Sequence, residues 1–479
     1  MNPASPPAPP PLAPPPSSAS VSWVTWAALW LVFLGGWRGA ACLHAHLGDS
    51  EERAHVVPLR PRPIKPLVRV TPAPELRTRT ARPPQIASGW WPPYDTLDAT
   101  LPSAWELHGS TAAWFDLEHF FRLLHQTSWH AVDVFHWGDS QIEGDRITGT
   151  LRASWQRTWG GNGSGWVLPE MPAASFAIAS NTEGGVGRRA GFGRGRDSTA
   201  RRLPFFAVND MAASSRWRIA ANPASHANHK RWTTTTVWTS EPSAWSLEVD
   251  GLPVAVPAAE TAFQHVDHPH VDRDIALTFG ASTLLGVQLG SPHGVRVHNL
   301  PMRGASGTLF DDVPASDWQH LRAHHVPGLV LLQFGGNAVP SLTTQASAQR
   351  YARNVARNIR HIQGMLPGVP VVFIGPSDMG RHPGEFPGLP HVVHALKDAV
   401  VANDALYWDL QAVMGGQGSM AAWMAEGLAG QDGVHFSPRG AKLVAQRLDM
   451  ALRHEFKARF GTALHAVPAV RSPQEAGTP

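Results

Sequence analysis

Val134-Phe135-His136-Trp137-Gly138-Asp139-Ser140-Gln141-Ile142 reads as a short apolar strand that ends on Gly-Asp-Ser and opens into a helix. A serine at a strand end is held by backbone rather than by a mobile loop, so its hydroxyl can be aimed at a substrate. Gly138 permits a sharp turn that a side chain would block. The tripeptide alone says little, because Gly48-Asp49-Ser50 repeats it in a charged, Pro-rich stretch with no strand before it. Ser140 is set apart by a second motif near the far end of the chain, Asp432-Gly433-Val434-His435.

Together these two motifs hold the parts of a serine nucleophile. A serine hydroxyl attacks poorly at neutral pH unless a base, usually His, lies within hydrogen-bond reach. That His needs a carboxylate to fix its tautomer and stabilise its charge. Asp432 and His435 supply both from one loop, and the chain order is Ser, Asp, His. No Gly-x-Ser-x-Gly elbow is present. By itself Asp-x-x-His also reads as a helix-start carboxylate beside a surface histidine; paired with a strand-terminal Gly-Asp-Ser, the catalytic reading prevails.

The residues resemble the SGNH (GDSL-type) hydrolases, named for Ser, Gly, Asn and His in four separated blocks. Ser140 lies in the first block. Met302-Arg303-Gly304-Ala305-Ser306-Gly307-Thr308 resembles the second, Gln333-Phe334-Gly335-Gly336-Asn337 the third, and Asp432 to His435 the last. The resemblance implies catalytic Ser140, Asp432 and His435, no metal, and no nucleotide or other cofactor. It also implies an oxyanion hole from the N–H groups of Ser140 and Gly304 and the side-chain amide of Asn337. Donors aimed at a developing alkoxide lower the barrier, each by about 3 kcal/mol. Met302 stands where many members carry asparagine, which alters the path of that loop but not the chemistry.

The longer string His136 to Arg146, with Gly375-Pro376-Ser377-Asp378-Met379, is similar to bacterial envelope members of the peptidoglycan O-acetylesterase type. Those carry a β-rich carbohydrate-binding-like module between the serine and glycine blocks. The likeness runs from about residue 100 to 456 and is weakest in the insertion. It implies an esterase that removes O-acetyl groups from an envelope glycan, peptidoglycan first among them, through an acetyl-enzyme. Transfer to a sugar acceptor, a different polysaccharide or lipid ester, and a non-catalytic glycan-binding protein are the alternatives.

Composition sets limits on partners. Net charge is +3 and the basic residues are mostly scattered Arg, with no stripe to follow a phosphate backbone, so nucleic acid is not an expected partner. A single cysteine, Cys42, rules out an internal disulfide and any cysteine-based zinc site. Most of the 20 Trp are expected in cores, with exposed ones free to stack on sugar rings.

Along the chain, residues 1–20 are nearly all Pro, Ala and Ser and read as a disordered tail. Residues 21–43 are apolar with Arg38 their only charge, long enough for a membrane span or an uncleaved signal anchor. No Lys or Arg precedes them, so orientation is not read from flanking charge. Residues 44–99 read as a Pro-rich tether and 461–479 as a second tail. An anchor followed by a tether places the catalytic part in the periplasm, within reach of a wall.

The fold class expected is α/β, an SGNH-type, flavodoxin-like parallel sheet sandwiched by helices and encoded by residues 100–169 and 300–460. Near-continuous apolar runs at 131–135, 328–334, 369–375 and 405–410 read as buried parallel strands. Helical patterns at 111–124, 347–365 and 390–403 separate them, and the final helix starts near Ser437-Pro438. Gln141 to Gln156 reads as the helix behind the nucleophile, and Gly160 to Gly165 as a turn lining the site entrance. Residues 170–299 change character: Thr-, Val- and Trp-rich runs, from Arg231–Thr239 to Gly294–His298, alternate with turns and read as an inserted antiparallel β module. His265, Asp267, His268, His270 and Asp272 are metal-capable types, but no known ligand spacing fits them.

Overall fold

The computed structural model describes residues 101–171, 175–382 and 384–460. The proline-rich tail, the anchor segment, the tether with Gly48-Asp49-Ser50, and the C-terminal tail lie outside these residues. No helix among the described residues is long and apolar enough to cross a membrane.

The strands run β1 (Leu107–His108), β2 (Ala131–Gly138), β3 (Gly165–Val167), β4 (Ile178–Glu183), β5 (Val186–Ala190), β6 (Ala207–Met211), β7 (Ser215–Ala221), β8 (Thr234–Thr239) and β9 (Trp245–Val249). β10 (Leu252–Val254), β11 (Phe263–Asp267), β12 (Asp274–Phe279), β13 (Ser282–Gly290), β14 (Gly294–Pro301), β15 (Pro327–Gln333), β16 (Val371–Ile374) and β17 (Leu406–Trp408) follow. The helices are α1 (Thr111–Leu124), α2 (Thr148–Trp159), α3 (Ala315–His324), α4 (Gln345–Met365), α5 (Leu389–Val401), α6 (Leu410–Met414), α7 (Ser419–Ala425) and α8 (Pro438–Phe460).

One sheet has the order β1-β17-β16-β15-β2-β14. Its members β14, β2, β15, β16 and β17 are parallel. Taken in chain order these five lie as 2-1-3-4-5, the flavodoxin-like arrangement. The sheet is mixed rather than wholly parallel, because β1 pairs antiparallel with β17 and caps that edge. Successive strand residues point to opposite faces. Val132 and Val134 of β2 therefore join Leu117, Leu151 and Leu448 of α1, α2 and α8 in one core. Phe135 and Trp137 join Trp318 of α3, Ile359 of α4 and Leu396 of α5 in the other. With helices on both faces, uninterrupted apolar strands are what the sheet requires.

Two antiparallel sheets, β10-β9-β12-β7-β4 and β11-β8-β13-β6-β5 with β3 beside β13, form the insertion. Their buried residues, among them Trp217, Leu247 and Leu277, belong to the same cluster as Phe135 and Trp137, so the insertion shares a core with the hydrolase sheet.

Three expectations change. Gly294–His298 is not a module strand but part of β14, paired in parallel with β2 along its whole length. Its polar residues mimic the alternation of a half-exposed strand; in fact Arg296 and His298 are buried beside Asp133. The helix expected from Gln141 starts only at Thr148, because Gly144 (φ 66°) and Asp145 (φ 68°) adopt left-handed backbone and break it. The loop from Gly160 to Gly165 does not line the site entrance. A Cβ at Gly161 would lie 2.6 Å from Val295 O and one at Gly163 2.3 Å from Leu289 O, so the loop is wedged against the entering end of β14, opposite Ser140.

Asp133 ties β2 to β14 and to the segment before β15 at that end. It takes a fork from Arg296 at 2.8 and 2.7 Å and a bond from His298 Nε2 at 2.8 Å, with His325 Nδ1 3.1 Å away. Burial pushes its carboxyl up, but the Arg296 and His325 charges and the imidazole bonds outweigh that and hold it well below the usual carboxylate range. Asp133, His298 and His325 bring ligand-type atoms within 4.8 Å of one another, yet both Asp133 oxygens are already engaged by Arg296. Asp133→Ala is expected to destabilise the fold by about 3–5 kcal/mol in urea unfolding, because Arg296 is left buried without its counter-charge. A loss below about 1 kcal/mol, the scale of a surface pair, would contradict this.

Candidate active site

Ser140 follows the carboxyl end of β2, and Gly138 lets the strand end close against its neighbours. A Cβ there would be 3.0 Å from Ile142 Cδ1 and 3.1 Å from Gln333 O. Gly304 follows β14, Asn337 follows β15, and Ser377 follows β16, so the blocks converge where open α/β sheets place their sites. The fourth block lies in the loop before α8.

Ser140 Oγ is 2.8 Å from His435 Nε2, and His435 Nδ1 is 2.7 Å from Asp432 Oδ2. Asp432 Oδ1 accepts from the amides of Val434 (2.9 Å) and His435 (3.0 Å). Burial pushes Asp432 up, but the His435 ring and these two amides overrule it and keep its carboxyl below the ordinary value. An ionised Asp432 can only accept, so His435 carries its proton on Nδ1 and offers the Nε2 lone pair to the Ser140 hydroxyl. All three predicted catalytic residues are thus joined in one hydrogen-bonded line.

Of the predicted oxyanion donors, Asn337 lines the same cavity as Ser140, and Gly304 follows β14, the strand beside β2. Gly304 (φ 78°) adopts a backbone conformation that favours glycine, and nothing crowds its Cβ position. The amides of Ser140 and Gly304 donate to no acceptor among the described residues, and so are available to a substrate oxygen. Asn337 Nδ2 donates both of its N–H groups, to Asp139 Oδ2 at 3.2 Å and to Ala305 O at 3.1 Å, so an oxyanion receives one of them only by displacing an acceptor. Met302, the departure from the family pattern, is fully buried and anchors its loop by donating from its amide to Gly138 O at 2.7 Å.

Sequence reading missed the groups that hold the serine and histidine loops together. Gln141 Nε2 donates to Val434 O at 2.7 Å, while its Oε1 accepts from Phe436 N at 3.4 Å. Arg146 donates to Ser140 O at 2.5 Å, Glu143 O at 2.9 Å and Phe436 O at 3.2 Å. Both positions lie in the quoted motif, but nothing in a local pattern shows that each also reaches a backbone carbonyl beyond residue 430. The metal-capable residues are engaged in local hydrogen bonds. His265 and His268 spend ring nitrogens on Thr236 and Thr235 at 2.8 and 2.9 Å, on Asp267 and on Pro269 O.

A cavity of about 220 Å³ opens beside Ser140, lined by Asn337, Phe334, Pro340, Pro376, Met379 and Phe386 among others. That is below the roughly 300–1,000 Å³ of drug-sized ligand sites, so it suits a small group. The triad itself is half-exposed at Asp432 and His435, which leaves room for a bulky alcohol partner outside the cavity.

Asp139 is fully buried between these groups, and burial pushes its carboxyl up to about 6 despite the bond from Gln141 N. The unfolded chain ionises this residue near 3.8, so its buried charge costs stability above pH 6. The cost fades as pH falls toward 4. Asp139→Asn carries no such term and is expected to gain on the wild type by about 2.5 kcal/mol between pH 4 and pH 8. A pH-independent difference between the two unfolding curves would contradict a raised, buried Asp139.

Comparison with known proteins finds a partial likeness. Residues 271–443 match the model of the GDSL-like lipase/acylhydrolase family, a span that holds Gly304, Asn337, Asp432 and His435 but begins after Ser140. A solved peptidoglycan O-acetylesterase is similar over 74% of this chain and 99% of its own, with 22% identity and a TM-score of 0.57, which establishes the shared fold. A salicylyl-acyltransferase from a tetracycline biosynthetic pathway aligns over 61% of this chain and 96% of its own, with 14% identity and a TM-score of 0.26. A family two carbohydrate esterase from Clostridium thermocellum aligns over 58% and 100%, with 12% identity and a TM-score of 0.23. These last two superpose too loosely to bear on the reading. No curated protein matches the chain. With residues 271–443 similar to the GDSL-like lipase/acylhydrolase family and the Ser140–His435–Asp432 line completed from the residues before them, the chain is a carboxylic ester hydrolase.

Proposed function

We propose that this protein is a serine esterase that removes O-acetyl groups from a cell-envelope glycan, peptidoglycan being the substrate favoured. The hydrogen-bonded line from Asp432 through His435 to Ser140, beside a cavity sized for a short acyl group, is the observation that carries the reading. The solved peptidoglycan O-acetylesterase with the same fold supports the choice of glycan. In the first half-reaction Ser140 Oγ attacks the acetyl carbonyl as His435 Nε2 takes its proton. The oxyanion is received by the Ser140 and Gly304 amides and the Asn337 side chain. Collapse breaks the ester bond, and His435 passes the proton to the departing sugar oxygen. Water then attacks the acetyl-enzyme, giving its proton to His435, and acetate leaves as the proton returns to Ser140. Each step uses only protons and acyl transfer. Asp432 stabilises the transient imidazolium throughout.

We further propose that residues 21–43 anchor the chain in the envelope membrane and that the Pro-rich tether carries the hydrolase into the periplasm. The test is release of acetate from O-acetylated peptidoglycan and from an aryl acetate. The native chain is expected to release acetate from both. Ser140→Ala is expected to lose at least about a thousandfold in kcat on both, the scale of a nucleophile deletion, while Ser50→Ala keeps full activity. Equal loss in the two variants would overturn the choice of serine. Aryl acetate turnover without any release from peptidoglycan would overturn the substrate. Acetate release suppressed by an acceptor glycan that itself gains acetyl groups would replace hydrolysis with transfer.

A further inference from the structure

The Gly304 amide, a donor expected at the oxyanion, sits at the tip of a turn that packing does little to hold. Met302-Arg303-Gly304-Ala305 is closed by Ala305 N donating to Met302 O at 2.9 Å. The base of this turn is fixed. Met302 is fully buried and donates to Gly138 O at 2.7 Å, and Ala305 is buried and accepts from Asn337 Nδ2 at 3.1 Å. Its tip is different: Arg303 and Gly304 are exposed, and a Cβ on Gly304 would meet nothing within 4 Å. Yet an oxyanion donor must end within about 2.7–3.1 Å of the charge it receives, so a loose tip is costly.

A side-chain fork reaches this tip from the nucleophile's own turn. Arg303 Nε donates to Glu143 Oε1 at 2.7 Å, and Arg303 Nη2 to Glu143 Oε2 at 2.6 Å. Two parallel bonds fix direction as well as distance. Glu143 is tied to Ser140 in turn. Its amide donates to Ser140 O at 3.4 Å, and Arg146 bridges the carbonyls of Ser140 and Glu143 at 2.5 and 2.9 Å. The fork therefore spans from the backbone that carries the nucleophile to the residue whose carbonyl carbon bears the Gly304 nitrogen. An ion pair open to solvent ordinarily contributes little to stability. Here the Arg303 side chain is 56% exposed but that of Glu143 only 6%, so the carboxylate is a rigid, buried post for a surface arginine.

We infer that Glu143 and Arg303 are a positioning pair for the oxyanion hole, holding the Gly304 turn in register with Ser140. The inference rests on the esterase mechanism above, with Gly304 as a donor in it. Neither side chain needs to touch the reacting atoms.

The test uses the full chain with two substitutions close in size to the native residues. Arg303→Lys keeps the charge without the planar fork, and Glu143→Gln keeps the shape with a single acceptor oxygen. Turnover is counted per site that an aryl fluorophosphonate labels at completion, so misfolded protein does not enter the rate. Each variant is expected to lose at least about tenfold in kcat on an aryl acetate, with KM within about twofold of native; outright loss of an oxyanion donor costs about a hundredfold to a thousandfold. Affinity for an arylboronic acid, whose tetrahedral adduct on Ser140 presents an oxygen to the same donors, is expected to fall by a similar factor. The combined variant is expected to lose no more than the worse single one, because both break the same link. A pair that served stability alone would lower Tm while kcat per labelled site and boronate affinity stayed native, and that result would overturn the proposal. Native kcat in Arg303→Lys beside a slow Glu143→Gln would also overturn it, by assigning the effect to charge rather than to the fork. A native chain that releases no acetate would sink the esterase reading itself, whereas an active native chain with equally active variants would overturn the positioning pair alone.

Discussion

The whole arrangement depends on one hydrogen bond, between Ser140 Oγ and His435 Nε2, whose partners lie 295 residues apart in the chain. Such a contact has no local cause and must be imposed by everything between. The sheet supplies the coarse position, by ending β2 at the edge where the loop before α8 returns. Gln141 and Arg146 supply the fine one, since each bonds to the backbone of the histidine loop from beside the serine. A tenth of a nanometre of slack here separates an activated hydroxyl from an inert one, because reacting groups must be held near their productive geometry.

The insertion is bound into the hydrolase rather than tethered to it. Trp166 of β3, Phe135 of β2 and His325 pack ring against ring between the lobes, and His298 Nδ1 accepts from the Trp166 amide at 3.3 Å. The polar groups in this seam are tied to Asp133, so it is an ion-pair network sealed by aromatic rings. Most Trp side chains serve such packing. Trp137, Trp155, Trp217 and Trp238 are buried, whereas Trp129 is 78% exposed.

The chemistry was more legible in the sequence than the joinery. Ser140, Gly304, Asn337, Asp432 and His435 could be named because each sits in a short motif, and the structure brings all five to one strand edge. The parallel strands were legible because burial on both faces leaves an apolar run. β14 was not, because Arg296 and His298 look like an outward face until Asp133 is seen across the ladder. The delayed start of α2 depends on left-handed backbone at Gly144 and Asp145, and Asp145 carries no turn signal as strong as glycine. The roles of Gln141 and Arg146 were hidden for a further reason: their acceptors are main-chain carbonyls, which any sequence supplies.

The most direct measurement is covalent labelling by an aryl fluorophosphonate, read by intact mass and then by peptide mapping. The account predicts a single adduct on Ser140, formed rapidly in the native chain and more than about a hundredfold more slowly in His435→Ala, since the nucleophile depends on its base. Labelling on any other serine, or an undiminished rate without His435, would contradict it.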